Sequence, residues 1–158
     1  MSQPIKNVSI EPAQLSDLDS LVRLERATFD YSCISRRSFM HLIRSTSARC
    51  WVAKDGTKLL GYALVLTRSN SLVWRLYSIA VAPEARGKGI GQKLMDELIS
   101  CARKSQAKAL SLEVKSDNKA AIAWYQDCGF ETIDVLANYY DDGSDGLKMR
   151  FTFDPESP

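Results

Sequence analysis

Histidine is nearly absent: His41 is the only one in 158 residues, and it sits beside the apolar Leu42 and Ile43 on a short helical stretch. Imidazole is the side chain that most readily moves protons near neutral pH, so proton transfer by this chain has to be assigned to other groups. The four cysteines, Cys33, Cys50, Cys101 and Cys128, lie far apart and form no C-x-x-C pair, which argues against a zinc site and a redox dithiol. They read as reduced thiols that help fill a core. No His/Cys/Asp/Glu cluster has metal-ligand spacing, and no metal is expected. The longest nearly apolar run, Leu59 to Leu66, is far too short to cross a bilayer, and Met1 to Asn7 lacks the apolar segment of a secretory signal. The expected location is therefore the cytoplasm, with no membrane partner. An excess of one charge is missing too: 21 Lys and Arg stand against 19 Asp and Glu, for a net charge of +2. The densest basic stretches, Arg36-Arg37 and Arg103-Lys104, are dipeptides, which disfavours a nucleic-acid partner.

The remainder has the composition of a globular protein, 45% hydrophobic and 25% charged, at a length that suits one domain with its core between about residues 8 and 153. Periodicity predicts a strand at Val8 to Pro12, then a helix opened by Ser16 with a Ser-x-x-Asp capping box to Asp19 and a stripe of Leu18, Leu21, Val22 and Phe29. A second helix is predicted after Ser35, burying Phe39, Leu42 and Ile43. Strands at Cys50 to Lys54 and Lys58 to Arg68 meet across Asp55-Gly56, and a third follows at Leu72 to Val81. A long helix from about Gly89 to Ala107, a strand through Leu110, Leu112 and Val114, and a helix from Asn118 to Cys128 closed by Gly129 come next. The chain ends with two strands, Phe130 to Tyr140 and Leu147 to Phe153. The fold class is mixed α/β, with a sheet that is antiparallel early and parallel at its centre.

The most informative segment is Arg86-Gly87-Lys88-Gly89-Ile90-Gly91, between a strand and a helix. Glycines there let main-chain amides converge at the positive end of a helix, and Arg86 and Lys88 add full charges, so a diphosphate is the natural ligand. Spacing excludes a P-loop, which requires glycine where Ala82 stands and Ser or Thr where Gly89 stands. A dinucleotide fingerprint beginning at Gly87 fails at Gln92, although Glu113 lies near where a ribose-binding acid would fall. The pattern [RQ]-x-x-G-x-[GA] is matched by Arg86, Gly89 and Gly91.

That loop resembles the coenzyme A diphosphate loop of the GNAT superfamily of N-acetyltransferases. Asn118-x-x-Ala121-x-x-x-Tyr125-x-x-x-Gly129-Phe130 resembles the second motif of the same superfamily, at the usual distance. Ile79-Ala80-Val81, Leu112-Glu113-Val114 and the ending Tyr139-Tyr140 with Asp142 to Met149 are most similar to the bacterial ribosomal-protein-alanine N-acetyltransferases and related amino-terminal acetylases. One departure is plain: where the ribosomal enzymes tend to carry Pro-Trp-Ser, this chain reads Asp30-Tyr31-Ser32.

The resemblance implies a single GNAT-like domain that binds acetyl-coenzyme A and transfers acetyl to an amine. It implies cofactor contacts from Ile79, Ala80, Val81, Arg86, Gly87, Lys88, Gly89, Ile90, Gly91, Asn118 and Tyr125, and acceptor contacts from Tyr31, Tyr139 and Tyr140. Glu113 is the expected base and Tyr125 the expected acid. Alternation gives separate support for Glu113, because Leu110, Leu112 and Val114 form one packed face and leave Ser111, Glu113 and Lys115 on the other. The structural alternatives are a solvent-facing Glu113, a Tyr125 that packs with Ile122, and an Asn118 that caps its helix. The expected acceptor is the α-amine of a polypeptide, since an amine with a pKa near 8 asks less of a base than a lysine near 10.4. Two adjacent tyrosines on a strand would place only one ring in the acceptor groove. A small-molecule amine, a lysine side chain, or a non-catalytic acetyl-coenzyme A sensor remain alternatives.

Overall fold

The computed structural model describes residues 7–29, 33–68 and 71–153. Strand β1 (Val8–Pro12) leads through a 3-10 turn at Leu15–Asp17 into α1 (Leu18–Thr28), and α2 (Arg36–Arg44) follows. The expected cap lies elsewhere. Asp17, not Asp19, closes the helix start by accepting the Gln14 N–H at 2.8 Å, and it ion-pairs with Lys54 at 2.6 Å. The reason is tertiary: Asp17 is buried against the sheet, where a paired carboxylate is stable, whereas Asp19 points out to Arg36. Ser35 caps α2 as expected, its hydroxyl accepting the Ser38 N–H at 3.1 Å.

A meander of β2 (Ala48–Asp55), β3 (Lys58–Leu66) and β4 (Val73–Val81) comes next, then α3 (Ile90–Lys104), β5 (Ala109–Lys115), α4 (Lys119–Asp127), β6 (Glu131–Leu136) and β7 (Gly146–Thr152). The seven strands form one sheet in the order β1-β2-β3-β4-β5-β7-β6. Only β4 and β5 are parallel, so the antiparallel start and parallel centre stand as expected. The final strands are shorter than predicted: β6 ends at Leu136, and Tyr139 and Tyr140 lie in the connection to β7.

Helix α3 packs Ile90, Leu94, Met95, Leu98 and Ala102 against one face of the sheet, a stripe at helical spacing. Phe39 of α2 meets Tyr62 of β3 edge-on at 5.6 Å on the opposite face, alongside Leu21 and Leu24 of α1. The thiols are not uniformly core. Cys50 is buried, and desolvation pushes it up to about 12, but Cys33 is exposed. Among the described residues, no helix is long and apolar enough to cross a membrane.

Gly61 sets how closely α3 approaches β3. A Cβ there would stand 2.9 Å from the Ala80 carbonyl oxygen and 3.3 Å from Leu94 Cδ1, and main chain cannot give way as a flexible side chain can. Gly61→Ala should therefore destabilise the fold by about 1–3 kcal/mol, as overpacking does. An unchanged urea midpoint would contradict this packing account.

Candidate functional site

Strands β4 and β5 touch over three residue pairs only, Val73 with Ala109 through Arg75 with Ser111. Past that point β4 stays zipped to β3 as far as Val81, while β5 stays paired with β7 through Lys115. Each strand follows a different neighbour, and a cleft of about 420 Å³ opens between them. The peptide groups on the parted edges have no ladder partner. Ala82 N–H bonds to Leu60 O at 2.7 Å, so alternation turns the main chain of Ala80 and Ala82 toward β3 and that of Ile79 and Val81 toward the gap. Val81 O accepts from Arg86 Nε at 3.3 Å, which fits this parity. All three expected cofactor residues here border the cleft: Ile79 and Val81 turn main chain to the gap, and Ala80 is buried at its edge.

On the α3 side, Gly87 and Gly89 adopt φ of +77° and +78°, values that favour glycine. Gly89 is the N-cap of α3 and has no side chain to satisfy the first-turn amides, which leaves an uncapped positive helix end beside Lys88. Arg86 lines the cleft. Ile90 is buried and can offer only its amide, while a Cβ on Gly91 would lie 3.5 Å from Trp124 Cζ2. That is an ordinary contact distance, so the space at Gly91 would admit a Cβ. Asn118 caps α4 by accepting the Ala121 N–H at 3.2 Å, and Asn118, Ala121 and Tyr125 border the cleft. The Tyr125 ring is braced by Trp124 at 5.2 Å and Phe130 at 5.8 Å, so it both packs and faces the cleft.

The α1–α2 side carries two carboxylates, Glu25 and Glu113, with Arg75 and Lys115 beside them. Glu113 does not simply face solvent: its side chain is 16% exposed and Oε2 accepts from Arg75 Nε at 2.9 Å, leaving Oε1 for another donor. Glu25 is 2% exposed and borders the same cleft, its carboxylate taking the Tyr62 hydroxyl and the Ile34 N–H, the latter at 2.8 Å. Burial and that carboxylate push the Tyr62 hydroxyl well above the ordinary phenol range. Thr28 Oγ1 is buried in this wall with no partner among the described residues. Sequence reading missed Glu25, Thr28, Arg75 and Ser78. A signal existed for the first, because Glu25 falls on the Leu18, Leu21, Val22 stripe, where an acid must be paired if buried.

Both Tyr139 and Tyr140 border the cleft, which overturns the expectation that only one could. Off the strand, they need not alternate. Their rings meet edge-on at 5.1 Å and 89°, and a Cβ on Gly146 would stand 3.3 Å from either. Lys115 sits over the Tyr140 ring at 5.4 Å and pairs with Asp142 at 2.9 Å, tying β5 to this connection. Tyr31, the third expected acceptor residue, lies outside the described residues, as do Asp30 and Ser32.

Comparison with known proteins agrees with this geometry. Residues 17–130 match the model of the acetyltransferase (GNAT) family. The N-alpha-acetyltransferase RimI of Mycobacterium tuberculosis is 37% identical over 101 residues, 62% of each chain. An N-alpha-acetyltransferase of Saccharolobus solfataricus is 26% identical over 155 residues, covering 91% of this chain and 92% of that one. The crystal structure of the ribosomal-protein-S18-alanine N-acetyltransferase from Escherichia coli superposes with a TM-score of 0.84 at 25% identity, over 96% of this chain and 99% of that one. The chain spans 41% and 62% of the length of the first two curated relatives it matches.

The Ser144 hydroxyl, then Lys115 and the Ser144 N–H, hold the Asp142 carboxyl well below the usual carboxylate range. A depressed folded-state value means that the ordering is fully present above the free carboxyl's pKa, about 3.9, and declines as pH falls below it. Asp142→Asn should therefore lower the protection of the Ser144 amide, its exchange rate relative to the intrinsic rate, at neutral pH. Equal exchange in both proteins at neutral pH would show that Asp142 does not order the turn.

Proposed function

The chain belongs to the GNAT acetyltransferase family, and from that premise we propose that it transfers acetyl from acetyl-coenzyme A to the α-amine of a polypeptide. The observation that carries the proposal is the cleft itself. It passes through the sheet where β4 and β5 part, with an uncapped, basic helix end on the α3 side and, on the α1 side, the buried Glu25 and the partly buried Glu113, whose Oε1 is left for another donor. An anionic diphosphate fits the first and a cationic amine fits the second. The relatives' names, N-alpha-acetyltransferase and ribosomal-protein-S18-alanine N-acetyltransferase, favour a polypeptide amino terminus as acceptor.

The residues present fit coenzyme A. The amides of Gly87 to Gly91 with Arg86 and Lys88 would hold its diphosphate, and the main chain of Ile79 and Val81 its pantetheine arm. Asn118 and Tyr125 border the same channel. When bound, acetyl-coenzyme A supplies the activated thioester. Glu113 Oε1 takes the amine's proton, directly or through water, while Arg75 keeps the carboxylate aimed into the gap. The unpaired main-chain edge of β4 polarises the thioester carbonyl. The Tyr125 hydroxyl gives a proton to the departing thiolate. Tyr139 and Tyr140 wall the acceptor groove, and Tyr31 is assigned to the acceptor by the family resemblance alone.

Three measurements test the reading. Gly89→Ala forces a side chain onto a left-handed backbone and should weaken coenzyme A binding at least tenfold by calorimetry; unchanged affinity would remove the loop from the site. Glu113→Gln should cut turnover about 10²-fold at neutral pH and recover as pH rises and the amine deprotonates unaided, while Tyr125→Phe should slow turnover without loss of coenzyme binding. Parent rates in both would reassign base and acid. Acetylation of peptides with free amino termini is expected; turnover of an amino-blocked lysine peptide or a polyamine instead would refute the acceptor.

A further inference from the structure

One buried acid in the cleft wall has no part in the reaction described above. Glu25 is ionisable, 2% exposed, and accepts hydrogen bonds at both oxygens, from the Tyr62 hydroxyl and the Ile34 N–H. A carboxylate can only accept, so Tyr62 commits its single proton to Glu25. The Tyr62 oxygen also lies 2.8 Å from Ser78 Oγ, and with its own proton spent it can only receive there. Ser78 must therefore donate to Tyr62. A hydroxyl has one proton, so Ser78 Oγ turns to the rest of its surroundings as an acceptor, and Ser78 borders the cleft. The carboxylate thus fixes, through two hydroxyls, the polarity of an oxygen at the surface of the site.

Strand register places that oxygen on the face of the sheet that carries the candidate base, and both border the cleft. Residues three apart on a regular strand face opposite sides, which would separate Arg75 from Ser78. The β3–β4 register shifts between Leu64 and Val65, however: Leu64 pairs with Ser78, Val65 with Leu76 and Leu66 with Arg75. Tyr77 is the extra residue of a β-bulge. Leu64 and Leu66 share a face, so Ser78 and Arg75 share it as well, and Arg75 holds Glu113. Thr28 Oγ1, buried without a described partner, borders the same side of the cleft.

We propose that Ser78 Oγ accepts a hydrogen bond from the nitrogen to be acetylated, and that Tyr62 and Glu25 are positioning residues that keep it an acceptor. The proposal rests on the acetyltransferase reading but not on which amine is the acceptor. An amine bears N–H groups for both Ser78 Oγ and Glu113, and the bond to Ser78 would hold the nitrogen in place while Glu113 takes a proton and the lone pair this frees attacks the thioester carbon. Ser78 carries no proton away; it positions.

The test is steady-state kinetics of the whole chain with Ser78→Ala, Ser78→Thr and Tyr62→Phe, using a peptide with a free amino terminus, or a polyamine if the peptide is not turned over. Ser78→Ala should raise the acceptor KM about tenfold, the scale of one hydrogen bond to a charged group, and leave the acetyl-coenzyme A KM within about twofold. Ser78→Thr keeps the hydroxyl and should restore most of the acceptor KM. Tyr62→Phe frees the Ser78 proton and should shift the acceptor KM in the same direction by a smaller factor. An unchanged acceptor KM in Ser78→Ala, or an equal rise in both KM values, overturns the proposal. Turnover of the polyamine alone refutes the α-amine reading while leaving the Ser78 comparison intact, and no turnover of either amine by the parent chain overturns both.

Discussion

The site depends on the point where two neighbouring strands part. β4 and β5 share a ladder over only the first three residues, while on their far edges β3 stays with β4 as far as Val81 and β7 stays with β5 through Lys115. A sheet split in this way leaves main-chain groups without a ladder partner along the gap. Unpaired peptide groups away from water are costly, so a segment in this state is primed for a ligand that satisfies them. The packing on the β3 side of the split is correspondingly firm, because α3 lies tight on Gly61 of β3.

Charge is sorted by the same split. The basic loop Arg86 to Lys88 and the uncapped start of α3 are on one face of the sheet; Glu25 and the Arg75–Glu113 pair are on the other. An anionic donor and a cationic acceptor entering from opposite faces would meet at the parted strands without either crossing the other's field. The Lys115–Asp142 pair and the two tyrosine rings fasten the β6–β7 connection at the mouth of the acceptor side.

Much of this was legible in the sequence where local chemistry decides the outcome. The glycine loop, the Asn118 cap and the alternation of Leu110, Leu112 and Val114 are local signals, and each matches an element in the fold. The misread parts depend on contacts far along the chain. Asp17 replaces Asp19 in the cap because Lys54 lies over it; Tyr139 and Tyr140 leave the strand because both rings close over Gly146. The bulge at Tyr77 leaves no local mark, so the shared face of Arg75 and Ser78 emerges only from the register. Glu25 was visible as an acid on an apolar stripe, but its partners, Tyr62 and Ile34, belong to other elements.

The central claim is that donor and acceptor meet by passing through the sheet between β4 and β5. A crystal structure of the chain with a conjugate joining coenzyme A to the α-nitrogen of a short peptide tests it most directly. The account predicts the diphosphate at Gly87 to Gly91, the linker between Ile79–Val81 and Glu113, and the peptide on the face that carries Glu25 and Ser78. A conjugate lying wholly on one face of the sheet, or one that leaves the gap between β4 and β5 unfilled, would contradict it.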